Sequence, residues 1–396
     1  MPPHFFEREL LASRRGVFES EKIPDSTDFL GDAIKNGELI IQCLKSSSDK
    51  RSLMRFIHRG DGNIFDQGQN LNINLDKISK DTKLVYQFLR ENGASHFQDI
   101  ENGTNLSPMK INAVLQKTVQ SGLVTTDNYD SFLSIIGTAQ KQKSQSRGRS
   151  SRHAIRENVK NQILLKKGRW FLTSSFAVIG KKHPLNEQIE RQARLLLQRY
   201  GILVKEFYRR ETGFLPWYQL FQVLKRLEWQ GEIRRGYFIE GLSGIQYALP
   251  EAVEILSRLP DKIIDNESYT ISTLDPSLPF GGNIDWSICK ENGEKIEIKK
   301  NLGNHLTFLS EEPVLYSENY ANRIWTLTLL KNKELERIFS FFKNWLRLPD
   351  TMRPKKKIEI ETINDKAATD FVHADLFYKL GFEKEGSVIA LWPSGL

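Results

Sequence analysis

Arg234 and Arg235, followed by Tyr237 and Phe238, form the cluster with the clearest chemistry in this 396-residue chain. A guanidinium is planar, permanently charged and forked, so it meets phosphate oxygens through paired hydrogen bonds. An aromatic ring beside it can stack on an unpaired base of any identity. The same residues also fit a second description, in which the arginines are solvated strand charges and the rings pack on their own domain. Neighbours on a strand point to opposite faces, so one of Tyr237 and Phe238 should be buried. Other cations enlarge the candidate set: Arg51, Arg55 and Arg59 in one short stretch, Arg169, Lys225 with Arg226, and Arg209 with Arg210. Arg55 and Arg59 lie at even spacing and would share one face of a strand, as a phosphate-tracking stripe or as a solvated edge. Lys355-Lys356-Lys357 precedes a strand and reads as a solvated turn. Trp170, Trp217 and Trp229 read as packing residues, with base stacking as the alternative.

Other chemistries find no support in the spacing. The seven histidines are scattered, and the two cysteines, Cys43 and Cys289, form no CxxC pair, so no metal site is expected. Ser243 sits in Gly241-Leu242-Ser243-Gly244, which is a turn and lacks the spacing of a nucleophile elbow. Gly180-Lys181-Lys182 lacks the upstream glycine and the following Ser or Thr of a phosphate-binding loop, and no Asp-Glu-x-His segment is present. No ATP hydrolysis by such a motor and no other cofactor is therefore expected of this chain. Two distant cysteines make no disulfide framework, so the cytoplasm is the expected compartment. No run of eighteen apolar residues suggests a membrane span. A net charge of +8 suits a polyanionic partner, or simply a basic soluble protein.

The elements that must hold these residues show a weak repeat. Three times a helical run ends in glycine and gives way to a short apolar strand: at Gly37 before Leu39-Ile40-Ile41, at Gly122 before Val124-Thr125, and at Gly231 before Ile233-Arg234. Glycine past a helix end takes the left-handed conformation at little cost, and β-branched residues then favour a strand. Upstream, Ile111, Val114, Leu115 and Val119 keep helical spacing behind Ser107-Pro108, a cap and a first-turn proline. Helix, glycine stop and hairpin is how a winged helix ends. The third copy shows its wing most plainly, with a strand over 234–240, the turn Gly241–Gly244 and a return over 245–249 halted by Pro250.

The expected fold is thus α+β. It comprises a winged-helix-like unit at 1–78, a winged helix at 79–138, a basic linker at 139–167, a winged helix at 168–258 with its wing at 234–249, and a mixed C-terminal domain at 259–396. The linker reading rests on ten Lys/Arg residues against one acid, Glu157, between Thr138 and Arg169. The C-terminal domain shows strand-like runs at 297–300, 306–309, 314–316 and 323–327, a helix over 331–346, a strand over 358–363, a helix over 367–380 and a last strand near 388–392. That set suggests a curved sheet or partial barrel.

The run Arg234-Arg235-Gly236-Tyr237-Phe238-Ile239-Glu240-Gly241-Leu242, with Gly244, Gln246, Ala248, Leu249 and Pro250, resembles a segment behind the two motor domains of Lhr-type (long helicase-related) helicases. Gly93-Ala94-Ser95-His96-Phe97 and Ser121 to Asp127 resemble the preceding winged helix of that region, and Gly168-Arg169-Trp170 resembles the motif that opens the next. Pro313–Tyr316 and Leu380-Gly381-Phe382 are similar to its terminal domain. The resemblance implies a region that cradles a single strand behind a 3′-to-5′ translocating motor. Single-stranded or forked DNA, and RNA as an open alternative, would be the partner. ATP would enter only with a separate motor subunit, and DNA repair is the family's usual setting.

Two other functions fit parts of the pattern. Tandem winged helices before a small β-domain also resemble a class of bacterial DNA glycosylases that remove alkylated bases, using a Gln-x-Gln or Gln-x-Asp pair to position water at the sugar. Gln67-Gly68-Gln69 has those letters, although a polar turn is the plainer reading. A scaffold that uses winged helices for protein contacts is the third.

Overall fold

In the computed structural model, described here over residues 29–44, 53–65, 79–144, 163–259, 267–348 and 353–395 apart from positions 276, 282, 283, 285 and 287, the chain folds as two compact units. The first takes in 24–199 and 212–230, and the second 200–211 and 231–396. Arg51 and Gln67–Gln69 lie outside the described residues, as does most of the basic linker.

The first unit opens with helix α1 (Phe29–Lys35), which Gly37 ends at φ 75°. Strand β1 (Leu39–Leu44) then pairs antiparallel with β2 (Leu53–His58), Gln42 facing Arg55, and the short helix α2 (Gly62–Phe65) follows. Helix α3 (Lys80–Asn92) starts where the Ser79 hydroxyl accepts the Thr82 N–H, buries Val85 and Leu89, and stops at Gly93 with φ 73°. Strand β3 (Ser95–His96) and helix α4 (Phe97–Thr104) lead to α5 (Pro108–Gln120). The expected stripe is present there, with Ile111, Val114, Leu115 and Val119 buried; Ser107 holds the cap position before Pro108 but its side chain makes no capping hydrogen bond. Gly122, at φ 75°, then turns the chain into β4 (Val124–Thr126). A Cβ at Gly122 would lie 2.4 Å from the Cys43 carbonyl oxygen, so only glycine permits this approach of the hairpin. The buried Gln42 amide donates to the Gly122 carbonyl at 3.0 Å and the Thr125 hydroxyl donates to that of Ile41, fastening β1 to the turn before β4. Helix α6 (Tyr129–Ser144) comes next.

One boundary differs from the sequence expectation. Arg169 to Leu172, assigned above to the start of the following unit, is strand β5 and forms the middle of a three-stranded sheet in the order β3-β5-β4. The reason is burial. Trp170, Phe171 and Leu172 are all buried, and an edge strand would leave more of that apolar surface wet. A short helix α7 (Phe176–Ile179) and helix α8 (Leu185–Tyr200) follow.

The second unit holds β6 (Ile202–Leu203), the helical turn α9 (Lys205–Tyr208), β7 (Arg234–Gly236) and β8 (Gln246–Ala248), with the strands ordered β6-β8-β7. Helix α10 (Trp217–Trp229), which precedes β7, falls wholly in the first unit. Helix α11 (Pro250–Arg258) begins at Pro250, where the wing was expected to end.

Beyond it, six strands form one sheet in the order β17-β16-β14-β13-β12-β9: β9 (Ser268–Ser272), β12 (His305–Leu309), β13 (Glu312–Glu318), β14 (Arg323–Thr326), β16 (Thr362–Ile363) and β17 (Lys366–Ala367). Its pairs are antiparallel except β14 with β16. Among the described residues the sheet is open, so no closed barrel forms. Strands β15 (Ile358–Ile360), β18 (Glu383–Glu385) and β19 (Val388–Leu391) make a separate sheet, and β10 (Ile288–Cys289) pairs with β11 (Lys295–Ile296). The expected single strand over 358–363 is therefore divided between two sheets at Glu361.

Helices α12 (Asn332–Phe341), α13 (Lys343–Arg347) and α14 (Ala374–Lys379) cover this core, with the Phe339 and Phe377 rings stacked at 4.1 Å. The expected helix over 367–380 is broken, because Phe371 leaves the helix path to pack edge-on against Phe339. The expected strand at 297–300 is absent too: the Lys299 N–H donates to the Tyr316 hydroxyl at 3.2 Å instead of to a neighbouring strand.

Candidate nucleic-acid interface

The wing is short and its charged residues face outward. Arg234 and Arg235 are exposed on β7, paired with Ala248 and Tyr247 of β8. Regular pairing stops at Gly236, where the buried Gln246 side chain takes over. Its Oε1 accepts the N–H groups of Phe238 and Ile239, both at 2.8 Å, and its amide donates to the Ile239 carbonyl at 2.9 Å. This side chain imitates a strand partner, so the wing keeps its shape over 237–239 without a longer ladder. Ile239, Leu242 and Trp286 pack on Val204, Phe207 and Ile284 beneath it. Strand alternation does not extend to the rings, because β7 ends at Gly236: Phe238 is half-buried rather than buried, and Tyr237 is 86% exposed. Arg234 has no hydrogen-bond or ion-pair partner among the described residues. A cation and a bare ring three positions apart can hold a phosphate and stack a base.

A second basic locus lies in the first unit. A cleft of about 430 Å³ is lined by Arg59, Arg90, Asp127 and Arg169, over the apolar side chains of Leu89, Phe171 and Leu172, with Ser174 and Ser175 on its wall. Arg169 is fixed twice by Asp127: its backbone N–H donates to Oδ1 and its Nε to Oδ2, each at 2.7 Å. Arg59 stands past the end of β2, where a Cβ on Gly37 would come within 2.9 Å of its Nη1. Arg90 comes from the last turn of α3. Neither Arg59 nor Arg90 has a hydrogen-bond or ion-pair partner among the described residues. The Ser175 hydroxyl oxygen is buried and also lacks one.

The remaining candidates separate. Arg55 does not join Arg59: its Nε and Nη2 donate to the Gln42 Oε1 at 2.9 and 2.7 Å, and its guanidinium lies 5.4 Å from the Phe65 ring centre. That places it as a brace of the first hairpin. Lys225 is half-buried with its ammonium 4.9 Å from the Phe221 ring centre, and Arg226 pairs with Glu190. Arg210, grouped with the basic surface above, clamps a loop by donating to the carbonyls of Leu278, Pro279 and Gly281. Lys357 pairs with Glu359 and Glu385. Trp170 is fully buried, as packing requires, but Trp229 is 85% exposed at the last position of α10. It lies off the stripe of Leu220, Val223, Leu224 and Leu227 that the helix buries.

Sequence reasoning missed Arg90, whose position in a last helical turn reads as a partner for the helix dipole. It also missed the tie between Asp127 and Arg169, which are 42 residues apart. Cys43 is buried, which pushes its thiol up to about 12, while Cys289 is exposed and unpaired. Among the described residues no group of three or more His, Cys, Asp or Glu side chains is placed to hold a metal ion, and no helix is long and apolar enough to cross a membrane.

Comparison with known proteins agrees with the wing. Residues 183–267 match the family described as the winged-helix domain of large helicase-related protein. Over 217 residues the chain is 24% identical to a protein of Mycolicibacterium smegmatis named "Lhr helicase/ probable uracil glycosylase". The similar stretch covers 52% of this chain and 14% of that relative, so the chain spans a small part of the relative's length. With the exposed Arg234–Tyr237 wing inside the matched segment, the chain carries an Lhr-type region that includes the winged-helix domain of large helicase-related proteins.

Proposed function

We propose that this chain is a nucleic-acid-binding accessory region of an Lhr-type helicase that holds or guides single-stranded or forked DNA and supplies no ATPase of its own. The observation that carries the reading is the wing: Arg234 with no partner among the described residues, Arg235 beside it, and Tyr237 86% exposed, all within the matched winged-helix domain. Phosphates dock on the guanidinia and an unpaired base stacks on the Tyr237 ring, which gives affinity with little sequence readout. The helix–glycine–strand repeat supports a tandem arrangement in which 29–65 and 80–172 act as further winged helices. Any motor would come from a separate subunit or segment. The test is fluorescence anisotropy of the chain with a labelled strand of about 20 nucleotides over a series of salt concentrations. Each neutralised phosphate should contribute about 0.7 to the log–log slope, so a slope of several units is expected. No binding at low salt would overturn the proposal.

The name of the Mycolicibacterium relative favours one other reading, base removal from uracil-containing DNA. Incubating the chain with such DNA and assaying for abasic sites decides it: strand cleavage after alkali supports the activity, and intact DNA removes it.

A further inference from the structure

We infer that the Arg59–Arg90–Arg169 cleft of the first unit seats a single nucleotide by its phosphate, as a second contact for the strand that the wing binds. This inference rests on the reading of the chain as a strand-binding region.

Charge gives the first reason. Three guanidinia line the recess against one carboxylate, and that carboxylate is consumed, since both Asp127 oxygens are held by Arg169. Arg59 and Arg90 thus present two positive charges with no counter-charge among the described residues. Cations gathered in a concave wall repel one another and are stabilised by an anion placed between them. A phosphate fits best, because its several oxygens can accept forked donors from more than one arginine at once.

The remainder of the lining fits the rest of a nucleotide. The buried Ser175 hydroxyl, on the wall, has no hydrogen-bond partner among the described residues and is a donor available to a ligand. Leu89, Phe171 and Leu172 form an apolar floor against which a sugar edge or a base can rest. A volume of about 430 Å³ lies in the range of roughly 300–1,000 Å³ that small-molecule sites occupy. The Asp127–Arg169 pair keeps one cation in place before any ligand arrives, so that group needs no ordering on binding.

The experiment is calorimetric titration of the full chain with deoxyadenosine monophosphate, deoxyadenosine and inorganic phosphate. The monophosphate should bind at least tenfold more tightly than the nucleoside, and phosphate should compete with it. In Arg59→Ala/Arg90→Ala the monophosphate should bind at least tenfold more weakly, whereas Lys356→Ala, at an exposed cation of the second unit, should leave it unchanged. Equal binding of nucleotide and nucleoside by the unaltered chain, or no nucleotide binding at millimolar concentration, overturns the inference without any variant. Two 20-nucleotide strands, one with a 5′-phosphate and one with a 5′-hydroxyl, then identify the phosphate. Tighter binding of the phosphorylated strand, lost in Arg59→Ala/Arg90→Ala, assigns a strand end. Equal weakening of both strands by that variant assigns an internal phosphodiester, and no weakening of either overturns the role in strand binding. No oligonucleotide binding by the unaltered chain, with the monophosphate still bound, would overturn the wing reading and leave the cleft standing as a nucleotide site.

Discussion

The wing and the cleft are both basic, yet they are built in opposite ways. The wing gathers Arg234, Arg235 and Tyr237 within four consecutive positions of one hairpin, and all three are exposed. The cleft draws Arg59, Arg90, Asp127 and Arg169 from four separate segments and sets them in a recess. An exposed hairpin suits a ligand that slides past, because contacts to phosphate and to the face of a base are indifferent to sequence. A recess suits one group held in one place. Fixing a side chain also separates arginines that look alike in sequence: Arg55 and Arg59 are four residues apart, but one braces a hairpin and the other faces the cleft.

The largest effect that tests this contrast is expected from Trp170→Ala. Trp170 is fully buried on the middle strand beside Arg169. Removing it should cost on the order of 3–5 kcal/mol by chemical denaturation and abolish nucleotide binding in the cleft, while Arg234 and Arg235 still bind oligonucleotide. Loss of both activities together would show that the two loci do not work separately. Tyr237→Ala should weaken single-strand binding by about 1–3 kcal/mol, measured by anisotropy, with Tyr237→Phe close to the unaltered chain. An unchanged affinity in Tyr237→Ala would remove stacking from the wing.

Next in size is the pair of neighbours. Arg55→Ala should lower stability by about 1–2 kcal/mol through its lost hydrogen bonds to Gln42 and its contact with Phe65. Arg59→Ala should stay within about 0.5 kcal/mol of the unaltered chain. Thermal melts that reverse this order would contradict the assignment.

The smallest effect concerns a cation that belongs to neither locus. Burial, helped by the nearby Arg210, lowers Lys300 to about 8. The unfolded chain binds this proton near the ordinary lysine value and the folded chain only near pH 8. Stability from this residue is therefore greatest above the ordinary lysine value and falls as pH drops to about 8. Lys300→Met should raise the melting temperature at pH 7 by a few degrees, and the gain should shrink toward pH 10. A gain that does not change with pH would point to packing instead.

What the sequence discloses follows the same division. Gly37, Gly122 and Gly231 all adopt positive φ and open strands as their spacing predicts, because a helix stop and the residue after it are decided locally. The wing turn is legible for the same reason, whereas the strand expected over 234–240 ends at Gly236, where the Gln246 side chain replaces the ladder. Strand β5 was assigned to the wrong neighbour because its partners, Ser95 and Thr126, lie some distance away in sequence, and local pattern cannot choose between sheets. Arg90 was overlooked because its helix end gives every basic residue an innocent role. Arg210 was misread because its partners are three backbone carbonyls, and carbonyls carry no side-chain signature.

The most direct measurement compares the salt dependence of single-strand binding between the unaltered chain and Arg234→Ala/Arg235→Ala. The account predicts weaker binding to every sequence and a log–log slope smaller by about 1.4, the share of two phosphate contacts on a single strand. An unchanged affinity with an unchanged slope would contradict it, because the wing would then lie outside the interface.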